Sequence, residues 1–164
     1  MRTEAIAAMR TYYGARQRSV DHTLAVLGYA EKILEGEGIT GPYERQVVVL
    51  AAIMHDVGIP AALAKYGSVT HRQQEEEGVP VTREILTGLG VRPDILERVC
   101  YIVGHHHTAE AVDGPDFQVV WEADALVNIP AKNPTPDAAQ VEDLIRPVFK
   151  TPTGTSLIHE VLGR

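Results

Sequence analysis

Seven side chains of only two kinds, imidazole and carboxylate, recur at inward-facing positions along the chain: His22, His55-Asp56, His71, His105-His106 and Asp124. The His55-Asp56 dipeptide ends the apolar run from Val47 to Met54, so both groups have left water, which costs free energy unless something pairs with them. A buried His–Asp hydrogen bond would satisfy that pair alone. Five separate places that carry only His and Asp point instead to a divalent transition metal. Their number suggests two ions. His22, His55, Asp56 and Asp124 form one set, with water in the remaining positions, and His71, His105 and His106 form a second, with Asp56 as the bridge. Five histidines and two carboxylates without cysteine suit Fe or Mn, with Zn, Co and Ni as further candidates, and not an all-oxygen Mg or Ca cage. Two such ions lower the pKa of a shared water and clamp both the attacking and the leaving oxygen of a phosphoryl centre. Asp56 is therefore the catalytic candidate. Arg18, Lys65, Arg72 and Lys132 lie near ligand segments; each reads first as a solvated surface charge and second as a contact to a phosphorylated substrate.

These groups need helices to bring them together. Residues 3 to 13 form a first helix, with Gly14 as its stop. Ser19 caps a second, from 20 to about 35, on which His22, Val26, Tyr29 and Ile33 share the inward face. Pro42 opens a third that runs through the apolar stretch to His55-Asp56 and stops at Gly58, and a short helix covers 61 to 65. Thr70 caps a helix starting at His71, with a kink or split at Gly78 and Pro80. Pro93 opens another through Val103, with Ile95, Val99, Ile102 and His106 on one face and His105 beside it. Residues 117 to 128 place Asp124 within an apolar stripe, and short helices follow at 137 to 145 and 156 to 162. Alternating polar and apolar runs are scarce, so the expected fold is all-α: a compact helical bundle with the metal site at its centre.

The chain has 164 residues, 45% of them hydrophobic, enough for one domain with a core; residues 1–164 read as a single unit without repeats. A net charge of −7 disfavours nucleic-acid polymers and anionic membranes as partners. The uncharged apolar run of about eight residues is shorter than a membrane span, and with Cys100 as the single cysteine the expected location is the cytoplasm. His107 reads as an exposed loop histidine, His159 as structural, and Cys100 as a buried inert thiol. Trp121 and Phe117 read as core, and Glu75-Glu76-Glu77 as a solvated helix face.

The ordered set resembles the HD superfamily of metal-dependent phosphohydrolases. The resemblance is carried by His22 in Ser19-Val20-Asp21-His22-Thr23-Leu24, His55-Asp56 in Met54-His55-Asp56-Val57-Gly58-Ile59-Pro60, and Asp124 in Glu122-Ala123-Asp124-Ala125-Leu126. It extends over about residues 19 to 128. His71 and the His105-His106 pair resemble the two-metal subset, which includes the HD-GYP cyclic-dinucleotide phosphodiesterases. The family fold is an all-helical bundle with central metals. The implied activity is hydrolysis of a phosphate mono- or diester, a nucleotide among the candidates. Ile59 stands where many two-metal relatives carry lysine, and Ile59-Pro60 replace the acidic pair of the alarmone hydrolases, so neither of those substrates is assigned. Two other readings remain: a di-iron oxygenase on the same fold, and a metal-bound regulatory module without turnover.

Overall fold

A computed structural model describes residues 1–134 and 136–163. Among these residues there is no strand. Nine α-helices follow one another: α1 (Arg2–Tyr13), α2 (Gln17–Gly36), α3 (Pro42–Met54), α4 (Gly58–Tyr66), α5 (His71–Gly88), α6 (Pro93–Val103), α7 (Pro115–Lys132), α8 (Ala138–Ile145) and α9 (Pro152–Val161), with a 3₁₀ turn at Ala109–Ala111 before α7.

The apolar run becomes α3, the central helix. Val47, Val48 and every residue from Leu50 to Met54 are fully buried, because α1, α2, α6 and α7 all pack around it. Taken with α4, the stretch Pro42–Tyr66 is long and apolar enough by composition to cross a bilayer. That is longer than the eight-residue run read from the sequence, and in the fold its α3 half is core. A helix interior to a bundle is apolar all round for the same reason that a membrane helix is.

Local signals explain most boundaries and the few departures from expectation. α2 starts at Gln17, two residues before the expected cap, because the Ser19 N–H already bonds to the Arg16 carbonyl (3.0 Å). α5 is capped as expected: the Thr70 hydroxyl accepts the Gln73 N–H (3.2 Å) and the Gln73 amide accepts the Thr70 N–H (2.9 Å). Pro80 does not split α5, which runs unbroken to Gly88. It lies exposed, and the carbonyl it leaves without a donor, that of Glu76, also sits on an exposed residue where water can serve it. α9 begins at Pro152, earlier than expected, held by the fully buried Glu122 of α7. That carboxylate accepts from the Lys150 N–H (2.7 Å), the Thr151 N–H (2.9 Å) and the Thr151 hydroxyl (2.5 Å).

Two contacts set the frame around His55-Asp56. Gly58 and Gly78 let α4 and α5 touch backbone to backbone: a Cβ on Gly58 would overlap the Gln74 carbonyl and stand 2.7 Å from the Gly78 nitrogen. Arg98 of α6 forks onto Asp116 (2.8 and 2.7 Å) and Asp113 (3.1 and 2.7 Å). This ties the segment after α6 to the start of α7.

Candidate metal centre

His55 caps the C-terminus of α3 and is 1% exposed. Its Nδ1 lies 2.8 Å from the Ala52 carbonyl. A carbonyl can only accept, so Nδ1 carries a proton and Nε2 points into the bundle, where it offers a lone pair once a metal ion takes the place of its own proton. There it meets His22 of α2 and Asp124 of α7. His22 Nε2 is 3.2 Å from His55 Nε2 and 3.1 Å from Asp124 Oδ1. Asp56 Oδ2 is 3.4 Å from both imidazole nitrogens, and His55 Nε2 is 3.6 Å from Asp124 Oδ1. With bonds of about 2.1 Å to a transition metal, neighbouring donor atoms stand about 3.0 Å apart in an octahedron and about 3.4 Å apart in a tetrahedron. The separations of 3.1 to 3.6 Å are those of donors arranged around one ion.

Asp56 has a second face. Its Oδ1 is 3.4 Å from His106 Nε2. His106 donates its Nδ1–H to the Val103 carbonyl (2.7 Å), so Nε2 presents a lone pair. That atom is buried and has no hydrogen-bond partner among the described residues. An orphaned buried acceptor beside a carboxylate is costly unless a cation sits between them. His107 completes a second group with Asp56 and His106 that could hold a metal ion. The His107 ring bonds through Nε2 to the Gln74 side-chain oxygen (2.8 Å) and stacks on His71, with centroids 3.9 Å apart. Burial, then His106 and His71 beside it, push its pKa down to about 3. His107 is thus neutral, the form in which imidazole binds metals.

The electrostatics of the first group run the other way. Complete burial lowers the pKa of His55, but Asp56 and Asp124 outweigh it and raise it well above the ordinary value. Burial likewise works to raise Asp56 and Asp124. Asp56 is nonetheless held well below the usual carboxylate range by the His55 charge and by the His106 ring, and Asp124 is held low by its contacts with His22 and His55. Two largely buried carboxylates that stay ionised make a place for positive charge, which a proton or a metal ion can supply.

The structure therefore gathers His22, His55, Asp56, Asp124, His106 and, at the exposed rim, His71. It does not gather His105. The expected pair was His105-His106; the observed pair is His106-His107. Extending the phase of α6 past Val103 misled, because the helix ends there and the His105–Thr108 turn (2.8 Å) resets the direction of each ring. His105 bonds instead to the Tyr101 carbonyl (2.7 Å) and faces an open groove of about 650 Å³ between α5 and α6. His107 is half-buried and not an exposed loop residue. Nor is the acidic run 75–77 only a solvated face. Glu75 accepts the His107 N–H (2.9 Å) and the Thr108 hydroxyl (3.0 Å), and so pins the histidine turn to α5, while Glu77 pairs with Lys65 (2.6 Å) and Tyr66 (2.9 Å). Neither role had a signal in the sequence, because the first depends on how α5 packs against α6 and the second on how it packs against α4.

The four candidate cations part company. Arg18 is exposed, Lys65 pairs with Glu77 and Arg72 with Glu76 (2.7 Å), the last beside the α5–α6 groove. Lys132 alone of the four borders the cavity of about 250 Å³ that opens beside Asp124, His106, His107 and His71. Trp121, expected in the core, lines this cavity as well.

The solved structure of a predicted HD superfamily hydrolase from an uncultured Thermotogales bacterium shares this fold. The TM-score is 0.70 at 19% identity, over 98% of this chain and 84% of that one. No curated protein matches the chain. The HD domain model matches residues 19–141, a span that begins just before His22 and runs past Asp124. It takes in both groups of donors that meet at Asp56, and the chain belongs to the HD-domain family.

Proposed function

We propose that the chain is a metal-dependent phosphohydrolase that cleaves a phosphate mono- or diester with a metal-activated water. The observation that carries this reading is the division of Asp56, whose Oδ2 faces His22 and His55 while Oδ1 faces His106. One carboxylate shared between two donor groups is how a protein holds two ions a few ångströms apart. His22, His55, Asp56 and Asp124 would hold one ion; Asp56, His106 and His107 would hold the second, with His71 stacked at its edge. Bound there, divalent ions such as Fe or Mn generate the nucleophile at neutral pH and take up charge on the transferring phosphoryl group.

The chain's own groups do the rest. The Ala52 and Val103 carbonyls hold the Nδ1 protons of His55 and His106, so both rings keep Nε2 turned inward, the atom each would offer a metal ion. The free acceptor sites of Asp56 orient the proton of the attacking water. Glu75 and Gln74 hold His107 in place. Lys132 supplies positive charge where the phosphate's outer oxygens would lie, and among the described residues it has no carboxylate partner of its own. The test is metal analysis of the purified protein with a phosphoester panel, p-nitrophenyl phosphate and its bis-ester included. Two ions per chain and phosphate release support the reading. Oxygen consumption with a mixed-valence iron EPR signal and no phosphate release would establish the oxygenase instead. Metal without either activity would make the protein a regulatory module.

A further inference from the structure

The wall of the cavity beside the candidate centre has a pattern of its own. α7 presents two parallel rows to it, each with a four-residue step: Asp124, Asn128 and Lys132 form one, Trp121, Ala125 and Ile129 the other. Residues four apart on a helix lie one above another, so the rows run side by side along the helix. One is polar throughout and ends in a cation. The other is apolar throughout and begins with an indole. Val148, whose carbonyl accepts from Gln118 (3.0 Å), also lines the cavity. The volume of about 250 Å³ lies below the roughly 300–1,000 Å³ usual for drug-sized ligands. That size suits one small group beside a phosphoryl group.

We infer that this cavity is the substrate subsite and that it takes a phosphomonoester of one small, flat, apolar group. The phosphoryl end lies along the polar row, between the donor groups at Asp124 and the ammonium of Lys132, with Asn128 as a hydrogen-bonding neighbour. The organic group lies along the apolar row against the Trp121 indole, where a ring gains both stacking and burial. Eight residues apart on a helix, the Asp124 and Lys132 Cα positions are about 12 Å apart along the axis, which leaves room for one phosphoryl group between their side chains. This rests on the phosphohydrolase reading for its chemistry, but on the two rows for its specificity.

Trp121 is the single tryptophan of the chain, so its fluorescence reports on this cavity alone. The experiment titrates the purified, metal-containing protein with phenylphosphonate, which cannot be hydrolysed, against methylphosphonate and a cyclic dinucleotide. The expected result is a saturable change in emission with phenylphosphonate, at a Kd about tenfold below that for methylphosphonate, and no saturation with the dinucleotide. In turnover, Trp121→Ala raises KM for phenyl phosphate about tenfold more than KM for glycerol phosphate, and Trp121→Phe restores the ratio. Lys132→Met raises both by a common factor. Silent emission with all ligands, or equal effects of Trp121→Ala on both esters, overturns the subsite. If phosphate esters are hydrolysed under those conditions, only the subsite has failed. Saturable phenylphosphonate binding without hydrolysis of any ester keeps the subsite and removes the hydrolase.

Discussion

The two halves of the centre are built differently. His22, His55 and Asp124 come from three helices that pack on one another, and their donor atoms stand within 3.6 Å of their neighbours. His71, His106 and His107 come from a helix start and the turn after a helix end, and their order depends on borrowed contacts: Glu75 and Gln74 reach across from α5 to hold His107. The first half is preorganised by the core. The second is preorganised by a few polar bonds near the surface. The first should bind tightly and lose everything when a donor is lost, and the second should be tunable from outside.

The largest expected effect is in the first half. His55→Ala removes a donor that is 1% exposed and leaves two ionised carboxylates without their partner. Metal content at that position should fall below detection by elemental analysis, and phosphoester turnover should drop by about 10³-fold or more. Full metal content in the variant would show that the first half is not a metal site. Because Asp56 is shared, the second ion should be lost with the first.

The same contrast explains what the sequence could reveal. His22 shares a helical face with Val26 and Ile33, both fully buried, and Asp124 stands in the stripe of Val120 and Val127, so a 3.6-residue period was enough to aim them. His55-Asp56 was legible because the uncharged run before it had to be core. All of this follows from helix geometry, as does the all-α fold itself. Beyond Val103 that geometry stops. Which of three consecutive histidines turns inward is decided by the hydrogen bonds of one tight turn and by Glu75, 32 residues away. No local pattern encodes such a contact. Nor could the sequence show that Gly58 and Gly78 face each other across two helices, or that the four candidate cations separate into one at the cavity and three elsewhere.

Gly58→Ala tests the frame between the halves. The added methyl meets the Gln74 backbone, so α4 and α5 must separate, at a cost of about 1–3 kcal/mol. Calorimetry should show a lower Tm. Since Gln74 also holds His107, affinity at the second position should fall while the first keeps its ion. Equal loss at both positions would show that the α4–α5 contact supports the whole centre and not one side of it.

Glu75→Ala acts on the second half alone. It removes the acceptor of the His107 N–H and the Thr108 hydroxyl and leaves the imidazole and carboxylate donors themselves in place. Groups that orient a metal ligand commonly change affinity by about 10–100-fold. The variant should therefore bind one ion per chain at low metal and two at high metal, as read by competition with a chelator. If the second ion stays as tight as before, the turn is held by its own backbone.

The smallest effect is the sharpest test of the histidine assignment. His105→Ala and His107→Ala change neighbours two apart in one turn, yet the fold sends them to opposite sides. His105 is tied to the Tyr101 carbonyl beside the α5–α6 groove, while His107 stacks on His71 at the cavity. His105→Ala should leave metal stoichiometry and turnover within about twofold, whereas His107→Ala should lose the second ion. The reverse outcome would mean that the turn after α6 is wound the other way, with the helical phase of Ile102 continuing through Gly104. In that case the second half would be as legible from periodicity as the first, and the contrast between them would vanish.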